Sequence, residues 1–300
     1  MKKILYPVLH SVLGVQKKAK GVRFPTSWQE LSDRDWLVVV QLLSRYFDGE
    51  LSPAMVRLLL AAYYLGVSPS SLSDDSFTDL HRLGERLTFL FRYDAAQGRE
   101  VLAPVRLAKQ FIPRLRLAGK SYSGYSIDIG SGMLTTDLTA LQFIHAHDIH
   151  PGDNASLVLL AMTLYRRKGQ KKYDPQETLR ECSRVGDCLS DVDVLRLTAV
   201  ALQFRAFSEF LFSLPRFSFL AGRQGSSSPL SVSSTASLYD LCREGLGSSK
   251  DIEEMPLLSY LSMLSDKTIS TIKALHGGGM KIEDIATQTG FPIATIAQMI

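Results

Sequence analysis

The sequence predicts a mainly α protein: a helical, bundle-like core, one small central β-hairpin and a C-terminal unit of three short helices. Three observations point there. Apolar residues recur at helical spacing over 31–47, 54–65, 80–93, 154–166 and 199–214. Strand-like alternation is confined to one stretch near 115–122. After residue 268 the chain reads helix, glycine stop, helix, glycine turn, helix. With 300 residues it is long enough to bury a sizeable core.

Phe24-Pro-Thr-Ser-Trp-Gln-Glu-Leu31 is a helix start, with Thr26 or Ser27 as cap and Glu30 answering from the first turn. Ser52-Pro53 opens the next helix, and Gly66 ends it. Ser68 to Asp79 is a polar connection, and leucines 80, 83, 87 and 90 predict a further helix to Tyr93. Pro104, Pro113, Gly119 and Gly124 then break the chain into short pieces, with a hairpin at 115–122. Thr135-Thr-Asp137 caps a helix to about His147. Residues 223–236 are a Gly/Ser-rich linker with low order expected. The expected domains are a helical core at 1–222, with its hairpin insertion near 101–133, and a C-terminal unit at 237–300. In that unit, 237–245 and 254–264 are short helices before the terminal three.

Net charge is +4, from 34 basic and 30 acidic residues, too mild to imply nucleic acid by itself. The basic residues do cluster. Arg99, Arg106, Lys109, Arg114, Arg116 and Lys120 have only Glu100 near them in sequence, and a second group is Arg166, Arg167, Lys168, Lys171 and Lys172. Solvated surface is the common reading of such groups, and a phosphate-binding face the sharper one. Three cysteines, Cys182, Cys188 and Cys242, fit no zinc spacing and suit a reducing cytoplasm. No apolar run is long enough to span a bilayer, so no membrane is expected. The first ten residues mimic a signal peptide, but His10, Lys17, Lys18 and the lack of a small-x-small site argue against one.

No catalytic constellation is visible. There is no Gly-x-Ser-x-Gly elbow and no phosphate loop. Asp74-Asp75 reads as a helix cap, and Asp187, Asp191 and Asp193 lack calcium-loop spacing. His145, His147 and His150, with Asp148, are the densest ligand types. No further group completes a metal site, and histidines at a helix C-terminus complement its dipole without one. The expectation is therefore no enzyme activity, no cofactor and no metal.

The terminal stretch resembles the helix-turn-helix family. Ile285 and Ala286 stand where helix crossing needs an apolar and a small residue, and Gly290 where the turn needs positive φ. Phe291, Ile296 and Met299 complete the seam. The resemblance implies DNA binding, with Thr295 and Gln298 as base readers and Lys281 as a phosphate contact. Against this, Pro292, Ile293 and Ala294 hold the positions nearest the bases and offer them no hydrogen bonds.

The body of the chain, about 24–260, resembles uncharacterised proteins of prophages and Mu-like phages of Bacteroidetes, often placed among tail genes. The similar segments are Phe24 to Leu31, the hairpin from Pro113 to Gly124, the helix from Leu138 to His147, and Leu164-Tyr-Arg-Arg167 with Tyr173-Asp174. This resemblance implies a non-enzymatic protein that binds other phage proteins, a tail assembly factor or minor structural component in the host cytoplasm or the virion. A DNA-binding regulator using the C-terminal motif is the alternative.

Overall fold

The computed structural model describes residues 23–300 except 70–72, 131, 171, 186–188, 222–234, 244 and 246. The signal-like N-terminus, Lys171, Asp187, Cys188 and nearly all of the expected linker lie outside the described residues. Among the described residues the protein is mainly helical, 57% helix against 12% strand, and the strands form small antiparallel sheets. The chain divides into two compact units. One takes the described residues of Met1–Leu107 and Leu189–Ala206, the other those of Ala108–Cys188 and Phe207–Ile300.

The first unit opens with a single 3-10 turn, Trp28–Glu30, and three helices: α1 (Asp33–Phe47), α2 (Pro53–Leu65) and α3 (Asp74–Gly84). Thr26 does engage Glu30, through two bonds of 3.0 Å, but these close only the 3-10 turn. The α-helix begins later because Ser32 and Asp35 form a reciprocal capping box. Asp74 and Asp75 lie in the first turn of α3, where carboxylates complement the dipole.

The helix expected over 80–93 stops at Gly84. Beyond it, Leu87 and Leu90 are buried from turns, and the chain becomes β1 (Phe91–Asp94), paired with β2 (Arg99–Leu102). Asp94 explains the change: its carboxylate accepts from Ala96 N and Gln97 N, folding the chain back into a hairpin. Arg57 on α2 then grips Glu100 on β2 at 3.0 and 2.6 Å and lies over the Phe91 ring. The core centres on Trp36, whose indole N–H donates to the carbonyl of Ala199 at 3.2 Å. Ala199 belongs to α7 (Asp191–Leu211), which starts earlier than expected because Ser190 and Asp193 cap it reciprocally. Residues 191–206 of α7 belong to this unit.

The second unit has a three-stranded sheet and a separate hairpin. The expected central hairpin is β3 (Arg114–Leu117) with β4 (Lys120–Gly124), turning through Ala118 and Gly119, both at positive φ. A third strand, β7 (Tyr165–Arg167), pairs with β4 and cuts the expected 154–166 helix at Leu164. β5 (Ile127–Gly130) and β6 (Met133–Thr136) form the other hairpin. Tyr165 packs where Gly124 leaves room; a Cβ there would stand 2.7 Å from the Tyr165 ring.

Helix α4 (Ala140–Asp148), capped by Thr139, is central to this unit. It packs on α5 (Asn154–Leu164), α8 (Thr235–Arg243), α9 (Ser249–Glu253) and α10 (Leu257–Gly277). Its buried Gln142 donates to the Thr163 carbonyl at 2.8 Å. α6 (Pro175–Val185) packs on α5 and carries Glu181. Short helices were expected at 254–264 and 270–276; one 21-residue helix, α10, runs through both. The polar residues between them do not break it. Thr268 satisfies its hydroxyl on the carbonyl of Leu264, four residues back, and Ser265 turns to the carbonyl of Arg216.

Candidate functional site

The C-terminal helices build the one site for which the sequence offers named roles. α10 ends at Gly277, its carbonyls closed by N–H groups of Gly278 and Met280. α11 (Ile282–Thr289) follows, with Glu283 and Asp284 in its first turn. It ends on Gly290 at φ +74°, where an L side chain would be strained. Pro292 is the N-cap of α12 (Ile293–Ala297), and its carbonyl accepts from the N–H groups of Thr295 and Ile296.

Ile285, Phe291 and Ile296 are buried together with Ile272 of α10. Ala286 and Met299 pack at the edge of this cluster. Phe219, from a 3-10 turn at Ser218–Ala221, meets the Phe291 ring edge-on at 6.1 Å. That contact spans more than seventy residues of chain, and no local pattern announces it.

An open cleft of about 530 Å³ lies between this turn, α10 and α12. Thr295 and Gln298 line it, as do Arg216, Asp266 and Lys273. Arg216 and Asp266 pair across it at 3.8 Å, both well exposed, so the pair contributes little to stability. Lys281 stands apart, exposed at the N-cap of α11. The outer side of α12 is apolar: Ile293 is 52% exposed and Ile300 45%, with Pro292, Ala294 and Ala297 also open to solvent.

The remaining sequence candidates separate. His145 Nδ1 lies 2.8 Å from the Tyr173 hydroxyl, while His147 faces the rings of Phe143 and Phe212. His150 Nδ1 turns to the carbonyl of Asp148. Among the described residues no group of three or more His, Cys, Asp or Glu side chains is placed to hold a metal. Burial pushes the Cys182 thiol up to about 11, which keeps it protonated and unreactive near neutrality.

One polar cluster escaped sequence reasoning. Glu181 on α6 is only 5% exposed, yet it is surrounded by Arg184, Lys120 and Arg167 and accepts from the Tyr122 hydroxyl at 2.9 Å. Burial raises its pKa, but the bonds from Arg184 and Tyr122 and the nearby cations outweigh that and hold it below the usual carboxylate value. Its partners come from β4, β7 and α6, so no sequence spacing could have linked them.

Among the described residues no helix is long and apolar enough to cross a membrane. No family model matches the chain, and no curated protein or solved structure matches it.

Proposed function

We propose that this chain is a non-enzymatic protein-binding protein, a helical and bundle-like scaffold serving in phage or prophage tail assembly. Its C-terminal helix-turn-helix-like unit forms part of the binding surface. The observation that carries this reading is the apolar outer side of α12. Ile293 and Ile300 stand exposed where a DNA reader would offer hydrogen-bonding side chains. Exposed aliphatic residues beside a polar rim suit a protein partner. Glu283 and Asp284, at the start of α11, would also repel a phosphate backbone. The similarity of the 24–260 segments to tail-region proteins points to the class of partner.

The test is pull-down with the tagged full chain from cells that carry its neighbouring genes, beside Ile293→Asp. Recovery of a tail protein by the parent chain, and its loss with the variant, is the expected result. Nucleic acid without any protein partner would count against the proposal.

A second reading, a DNA-binding regulator, draws on Thr295 and Gln298 standing in one cleft with Arg216 and Lys273. It requires nanomolar, sequence-specific duplex binding at physiological salt that Gln298→Ala reduces and Lys281→Ala weakens for all sequences.

A further inference from the structure

The two basic clusters of the sequence lie some fifty residues apart, and the sheet joins them. β3 carries Arg114 and Arg116, β4 carries Ser121 and Ser123, and β7 carries Arg166. Arg114 is opposite Ser123, Arg116 is opposite Ser121, and Ser123 is opposite Arg166. Directly opposed residues of antiparallel strands share a face, so these five lie on one side of the sheet. The other side holds Leu115, Leu117 and Tyr122, all buried in the core.

The outer face is open and cationic. Arg114, Arg116, Ser121 and Ser123 are exposed. Among the described residues, no hydrogen bond or ion pair engages the guanidinium of Arg114 or Arg116. Arg166 is held at the margin, 17% exposed, by Asp137 at 3.4 Å. The two free guanidiniums are two residues apart on one strand, about 7 Å along it.

We propose that this sheet face binds the phosphodiester backbone of nucleic acid without regard to sequence. Arg114 and Arg116 would each engage a phosphate, and the hydroxyls of Ser121 and Ser123 would donate beside them. The guanidinium fork matches phosphate oxygens, and serine hydroxyls are ordinary phosphate donors. An acidic protein would also meet the charge. Protein interfaces, however, draw their energy from a buried apolar or aromatic centre, and none of these five positions supplies one. A phosphate backbone needs only cations and donors. This site lies on β3, β4 and β7, apart from α12.

The test is fluorescence anisotropy of the full chain with a labelled mixed-sequence DNA duplex from 50 to 200 mM NaCl. Two phosphate contacts predict a log–log salt slope near −2, and so roughly tenfold weaker binding across that range. Arg114→Ser with Arg116→Ser should abolish binding. Ser121→Asp with Ser123→Asp, which places negative charge on the same face from β4, should do the same. Arg82→Ser with Arg86→Ser, two exposed cations outside the sheet, should leave binding and slope unchanged, which separates this face from general surface charge. The proposal is overturned by no binding at 50 mM salt, by binding that survives both sheet variants, or by polyglutamate competing as well as unlabelled DNA.

Discussion

Glu181 is a costly polar group to disturb. Its carboxylate is buried, and its partners arrive from three elements. Glu181→Gln keeps the shape but removes the charge that Arg184 and Tyr122 bind. Charge-assisted hydrogen bonds of this kind are worth about 2 kcal/mol each, and the cations left behind are partly solvated, so a total loss of about 2 kcal/mol is expected in urea denaturation. The pH dependence follows from the lowered folded pKa. The stabilisation is present above the unfolded carboxylate value and is lost as pH falls through the folded one. Below about pH 4.5 the parent chain should therefore lose stability faster than the Gln variant. Equal slopes would show that folding does not lower the Glu181 pKa.

His145 gives a second titration, in a different window. Burial lowers its pKa, against opposing pulls from Asp148 and Glu253. A depressed histidine favours folding while neutral, so its stabilisation is present above about pH 6.5 and is lost as pH falls. Urea midpoints at pH 7.5 and 5.5 should differ in that direction, and His145→Gln should shrink the difference. No change between parent and variant would remove His145 from the account.

The elements of the chain stop where backbone chemistry stops them. Gly66 closes α2 at φ +64°, and Gly290 closes α11 at +74°. Gly290→Val places a β-branched side chain in left-handed space, at a cost of about 1 kcal/mol or more. The thermal midpoint should fall accordingly, and α12 should loosen from Ile272 and Ile285; an unchanged melt would mean that the turn tolerates a Cβ. Strands overrule helical spacing in two places. Leucines 87 and 90 keep helical intervals but are buried from turns, because the Asp94 turn sends Phe91–Asp94 into pairing with Arg99–Leu102. Likewise the helix expected to reach Arg166 ends at Leu164, because Tyr165–Arg167 pairs with β4. Pairing partners forty residues away leave no mark on local periodicity.

For the molecule as a whole, the helical class was legible in the periodicity of 31–47, 54–65 and 199–214. Cap and stop residues such as Ser52, Pro53, Gly66 and Gly290 marked their ends, since helix caps and glycine turns act over a few residues and are written where they act. The apolar line of Ile285, Phe291 and Ile296 could be read for the same reason. The tertiary structure added what distant segments do together. It set Phe219 against Phe291, collected Lys120, Arg167 and Arg184 around Glu181, and put Arg114, Arg116 and Arg166 on one sheet face. It also turned His145 to the Tyr173 hydroxyl and His147 to the rings of Phe143 and Phe212. Burial and charge pairing depend on distances through space, and those distances exist only once the chain has folded.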